Sequence, residues 1–180
     1  NEAGERDLSR DILYVMGKLH KEPIHIFVNH WPSRREGIEQ SAPKRKKAAK
    51  TVLQKVQQLT IKGENCLVMG DFNDGPNAKS IQLLMDSGYF INPMKNLVSH
   101  NSGSANYKGQ WTLFDQIIVS HTFLNKEKDT HGFVKAEIFS DHLVKEWKGR
   151  YKGHPFRTYA GSKYIGGFSD HFPVYVLLRH

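Results

Sequence analysis

Four short motifs carry groups able to hydrolyse a phosphate ester: Asn29-His30-Trp31-Pro32-Ser33, Gly70-Asp71-Phe72-Asn73-Asp74, Phe114-Asp115-Gln116 and Ser169-Asp170-His171. Each lies where an apolar run meets a loop. A phosphate ester resists attack because its oxygens are negatively charged. A catalyst must offset that charge, activate water and stabilise the departing oxygen. Asp71, Asp115 and Asp170 can orient the water or hold a hard divalent cation such as Mg2+, with Mn2+ a second option. Asn73 can donate to a phosphate oxygen, or position the nucleophile, without adding charge. His30 and His171 can act as acid, base or phosphate donor, because imidazole titrates near neutral pH. Arg34 and Arg35 follow the first motif closely enough to fork onto a phosphate.

Each motif alone also has a purely structural reading. The segment from Asp71 to Gly75 can be a loop whose side chains bond nearby backbone. Asp115, inside an apolar strand, needs a partner, and a lysine would serve. Ser169-Asp170-His171 can be a turn, and His30 a core histidine. Four such motifs in one chain are what structure alone does not explain.

Strands must end at these groups to bring them together. Residues 11–20 and 24–30 read as two strands, with Lys21-Glu22-Pro23 as the turn between them. Residues 43–61 read as an amphipathic helix, with Ala48, Ala49, Val52, Leu53, Val56 and Leu59 on one face. Pro43 fits its first turn after the cap candidate Ser41. Lys44, Arg45, Lys46, Lys47, Lys50 and Lys55 crowd the helix start and outer side. Such a face can meet nucleic acid, although a solvated helix face is the simpler reading. Residues 65–70 form a short buried strand, followed by the Asp71 loop and a helix near 78–85. Residues 92–110, rich in Asn, Ser and Gly, read as a surface loop. Residues 111–119, 134–139 and 172–178 read as strands, and 148–167 as irregular. Mixed strands and helices with polar groups at strand ends imply a layered α/β fold.

The 180 residues form one domain, spanning 1–180. A hydrophobic content of 38% with 24% charged residues excludes a disordered chain. The net charge of +8 favours phosphorylated or polyanionic partners, nucleic acid among them. Cys66 stands alone in an apolar run, so no internal disulfide forms and a buried thiol is expected. No apolar stretch reaches membrane-spanning length. The 10 histidines are scattered and none are paired as His-x-x-x-His, which weighs against a zinc hydrolase.

Taken together, His30-Trp31-Pro32-Ser33, Gly70-Asp71-Phe72-Asn73-Asp74, Phe114-Asp115-Gln116-Ile117-Ile118-Val119 and Ser169-Asp170-His171-Phe172-Pro173-Val174 resemble the endonuclease/exonuclease/phosphatase superfamily, the DNase I-like fold. The resemblance runs over residues 24–178. It implies an α/β sandwich with a mixed β-sheet flanked by helices. It also implies a Mg2+-dependent phosphoesterase, either nuclease or phosphatase, using in-line water attack. Asp71 would orient or deprotonate the water, and Asn73 would hold that water or a phosphate oxygen. Asp170 would bind the metal. His171, paired with Asp115, would be the general base or a phosphate ligand, and His30 would contact the phosphate. The alternative is an inactive phosphate- or nucleic-acid-binding domain of the same fold. The family's first strands carry an Asn and the main metal-binding Glu, which nothing before Asn29 matches. The chain is therefore expected to be the C-terminal part of such a domain, weak in Mg2+ binding and turnover by itself. Sheet surface left bare by the missing strands is expected to favour self-association.

Overall fold

The computed structural model describes residues 9–59, 63–125 and 130–180. Its centre is a five-stranded mixed sheet built from β1 (Leu13–Leu19), β2 (Glu22–His30), β3 (Asn65–Asp71), β4 (Phe90–Ile91) and β7 (Asp115–Ser120). The strand order is β1-β2-β3-β7-β4. Strands β2 and β3 run parallel and the other pairs antiparallel. The parallel pair requires a crossover, which α1 (Ile38–Gln58) supplies. A second helix, α2 (Lys79–Asp86), packs beside α1. Hairpin β5 (Ala105–Tyr107) and β6 (Gln110–Thr112) precedes β7. Strands β8 (Gly132–Ile138) and β11 (Val174–Arg179) pair into a second sheet, and β9 (Tyr159–Ala160) with β10 (Lys163–Tyr164) forms a small exposed hairpin.

The layering follows from the period-two alternation of side chains in strands. Phe27, Cys66, Val68 and Ile118 face the helices, where they meet Ala49, Val52, Val56, Ile81 and Leu84. Their neighbours Ile24, Leu67, Ile117 and Val119 face the opposite way, toward Phe133, Ala136, Val174 and Val176 of the second sheet. Each fully buried side chain of this kind contributes about 1.5–3 kcal/mol. The second sheet does not cover the far edge of the first. Leu13 (59% exposed), Val15 and Val28 therefore present apolar side chains to solvent on that face. Among the described residues, no helix is long and apolar enough to cross a membrane.

Several local expectations need correction. The first hairpin turns at His20 and Lys21, so Glu22 and Pro23 already belong to β2, opposite Leu19 and Lys18. Helix α1 starts five residues before Pro43, with Gly37 as its cap. Ser41 lies inside the first turns and donates its hydroxyl back to the Gly37 carbonyl at 2.5 Å. Pro43 thus sits within the helix and cannot bond the Glu39 carbonyl, the cost a proline brings there. Arg45 is not on the outer face; only 1% of it is exposed. The run 111–119 is broken at Leu113 and Phe114 into β6 and β7, and residues 92–110 contain β5 and the buried Met94. Cys66 is buried as expected, which pushes its thiol up to about 12.

Candidate active site

The four motifs meet at one end of the central sheet. Parallel pairing sets His30 beside Asp71, and antiparallel pairing sets Asp71 opposite Asp115. His30 Nε2 stands 3.6 Å from Asp71 Oδ2, with the imidazole half exposed rather than in the core. His171 enters from the segment before β11. Its Nδ1 lies 2.7 Å from Asp115 Oδ2. An ionised carboxylate only accepts, so Nδ1 carries the proton and donates, which leaves Nε2 to act on a ligand. Ligand atoms of Asp71, Asp115 and His171 all lie within 4.8 Å of one another.

The electrostatics of this group are tense. Burial raises the Asp71 pKa, and the neighbouring Asp115 charge raises it further, against a hydrogen bond from the Asn73 backbone and the pull of His171 and His30. Burial alone would lower the His171 pKa. Its hydrogen bond to Asp115 and the charges of Asp115, Asp71 and Asp170 outweigh that and raise it. Asp71 and Asp115 bring two carboxylates close together, a donor set whose repulsion a divalent cation would relieve, and their hard oxygens suit Mg2+.

The loop after β3 is held by groups whose role the sequence did not reveal. Gly70 has φ 130°, and a Cβ there would lie 2.0 Å from the Asn29 carbonyl oxygen. Only glycine allows the two strand ends to approach so closely. Asn73 takes a left-handed φ of 49°, which asparagine tolerates. Its backbone N–H donates to Asp71 Oδ1 at 2.8 Å, and its side-chain amide donates to the Trp31 carbonyl at 2.9 Å. Asp74 points the other way, into the protein. Arg34 Nη2 lies 2.8 Å from its Oδ1, Arg45 Nε 2.7 Å from its Oδ2, and the Ser80 hydroxyl donates to Oδ2 at 2.5 Å. Gln116, fully buried, donates its amide to the Asp74 carbonyl at 2.8 Å.

Arg34 also donates Nε to the Asn73 carbonyl at 2.7 Å and lies over the Phe114 ring. Two of its three nitrogens thus brace the loop, where the sequence reading had it fork onto phosphate. Arg35 is exposed beyond it. Asp170 is exposed and falls outside the three-member donor group, although its charge reaches His171. It lines a cleft with Arg157, Thr158, Tyr159, Phe168 and Ser169. Ser104, from the stretch read as surface loop, is buried and links the two halves of the His171–Asp115 pair. Its hydroxyl accepts from the Asp115 N–H at 3.2 Å, and its carbonyl accepts from the Phe172 N–H at 2.7 Å. Gly103 beside it, where a Cβ would lie 2.4 Å from the Thr112 carbonyl oxygen, was the one visible signal of that close packing.

The arrangement matches known folds. A Bacteroides thetaiotaomicron mannosyl-6-phosphatase aligns with TM-score 0.56 and 18% identity, over 89% of this chain and 53% of its own. A humanised D. rerio TDP2 aligns with TM-score 0.58 and 14% identity, over 94% and 60%. A magnesium-bound mutant of Staphylococcus aureus beta toxin aligns with TM-score 0.54 and 15% identity, over 89% and 55%. At such identities the likeness shows the fold, a DNase I-like mixed α/β sandwich. The chain spans 51–60% of the length of the solved structures it resembles. No curated protein matches it. The family model described as Endonuclease/Exonuclease/phosphatase family matches residues 2–180. With strand-end carboxylates and a paired histidine seated on that sandwich, the chain belongs to the endonuclease/exonuclease/phosphatase family.

Proposed function

We propose that the protein is a metal-dependent phosphoesterase that hydrolyses a phosphodiester or phosphomonoester by in-line attack of water. The observation that carries this reading is the Asp71, Asp115 and His171 group, within 4.8 Å and built from three separate motifs. Family membership and the phosphatase and magnesium-bound structures among its neighbours support it. The carboxylates of Asp71 and Asp115, with Asp170 at the rim, are the oxygens that would hold Mg2+. When bound, the cation offsets the charge of the phosphate oxygens.

The protein's own groups divide the remaining work. Asp71, with one oxygen held by the Asn73 N–H, takes the proton of the attacking water. His171, with its pKa raised and Nδ1–H held by Asp115, favours the imidazolium, whose Nε2–H donates to a phosphate oxygen. The water oxygen forms the new bond to phosphorus as the ester oxygen departs on the opposite side. His30, half exposed beside Asp71, meets the phosphate or the leaving oxygen. Asn73 holds the loop and keeps its amide oxygen for the water. The cleft at Arg157 and Tyr159 receives the rest of the substrate.

The test is Mg2+-dependent hydrolysis of plasmid DNA and of a panel of phosphomonoesters by the full-length protein. Turnover lost in both Asp71→Ala and His171→Ala supports the reading, and the preferred substrate separates nuclease from phosphatase. Phosphate or DNA binding without turnover would instead favour the inactive binding domain. The bare apolar face at Leu13, Val15 and Val28 supports self-association of a second copy. A clean dilute monomer by size-exclusion chromatography counts against that.

A further inference from the structure

Strand β2 begins at Glu22 and ends at His30. Eight steps of about 3.3 Å place these ends about 26 Å apart. Chemistry at the Glu22 end is therefore separate from the active site. Three segments distant in the chain converge there: the β1–β2 turn with His20, the entry to β8 with His131, and the residue after β11, His180. The His20 ring lies 5.0 Å from that of His131 and 4.9 Å from that of His180, and the latter two are 4.8 Å apart. Glu22, His131 and His180 bring ligand atoms within 4.8 Å of one another.

Hydrophobic packing does not account for this cluster, because His20 and His180 are exposed. Glu22 meets His131 Nδ1 through Oε1, accepts the His131 backbone N–H at 3.0 Å and accepts the Asn65 amide at 3.0 Å. The carboxylate thus fixes the ring of the one buried histidine in the cluster. That is how an outer carboxylate orients a metal-ligating imidazole, leaving Nε2 as the donor. Imidazole nitrogens suit Zn2+ and its borderline neighbours, whereas Mg2+ prefers oxygen.

We propose that His131 and His180, with His20 beside both and Glu22 orienting His131, form a Zn2+-binding site at the far end of the sheet. Bound there, the ion ties the end of β11 to the entry of β8, next to the Glu22 contact that links His131 to the β1–β2 hairpin. The site does not depend on the phosphoesterase reading.

The test uses the untagged protein, stripped with chelator and titrated with Zn2+ against a competing chromophoric chelator. Thermal unfolding is followed in parallel. One Zn2+ per chain is expected, with a rise in Tm that Mg2+ does not reproduce. Asp71→Asn/Asp115→Asn should keep this binding. His131→Ala/His180→Ala should weaken it at least 100-fold. His180→Ala alone, at an exposed position that leaves the fold intact, should weaken it at least 10-fold, and Glu22→Gln about 10- to 100-fold. Absence of Zn2+ binding overturns the proposal. So does binding unchanged in His131→Ala/His180→Ala, or binding lost in Asp71→Asn/Asp115→Asn.

Discussion

Asp71 and Asp74 stand three residues apart in one motif, yet they occupy opposite electrostatic environments. Asp74 is enclosed by two arginines, a serine hydroxyl and the fold. Asp71 faces another carboxylate and has one backbone N–H on one oxygen. In the function proposed above, the fully compensated acid is the frame and Asp71 is the group left for chemistry. Strain retained where a cation and a phosphate would dock is the pattern expected of a working site. Arg34 and Arg45 serve that division indirectly, by fixing the loop that aims Asp71 and Asn73.

The comparison can be broken most directly at its reactive side. Asp71→Ala and His171→Ala should each lower kcat by about 10^2–10^4-fold, with Tm changed by only a few degrees. Equal losses of folding in both would mean that they are frame residues after all. On the framing side, Arg45→Ala should leave Asp74 a buried, under-compensated charge and cost about 3–5 kcal/mol. Chemical denaturation measures this, and a loss below 1 kcal/mol would show that Arg34 and Ser80 suffice.

A smaller effect has the opposite sign. A carboxylate whose folded pKa is raised destabilises the fold once ionised. That cost is absent below its unfolded value near 3.9 and complete above the folded pKa. Asp71→Asn keeps the acceptor for the Asn73 N–H and removes the charge. It should raise Tm at pH 7 by a few degrees, since about 1 kcal/mol corresponds to about 2–4 °C at this size, while turnover is lost. A lower Tm would erase the contrast with Asp74.

The smallest effect concerns His171. Its raised pKa contributes stability that is complete below the unfolded value of about 6.5 and is lost as pH rises through the folded pKa. Activity that needs the imidazolium should fall over that same upper range. Asp115→Asn removes the charge that holds the proton, so the His171 titration followed by NMR should move to lower pH. The basic limb of any residual pH–rate profile should move with it. A limb that stays in place would reassign the protonated group.

The sequence by itself located the strands near 24–30, 65–70 and 172–178, the helix between the first two, and the strand-end placement of His30, Asp71, Asp115 and His171. Alternation and helical periodicity are local, and polar groups that interrupt apolar runs are visible without coordinates. It singled out Asp71 but did not show that Asp74 is held by arginines, because that pairing depends on Arg45 turning inward from α1. Nor did it show Ser104 clamping the strand ends of Asp115 and His171, 56 residues apart, since a Ser- and Gly-rich stretch looks alike exposed or buried. Three histidines scattered in sequence, His20, His131 and His180, become a cluster only when the two sheets stack and bring Glu22 to His131 across 109 residues. Tertiary structure decided these points because burial and charge pairing belong to the neighbours a residue acquires in space, which its chain neighbours do not specify.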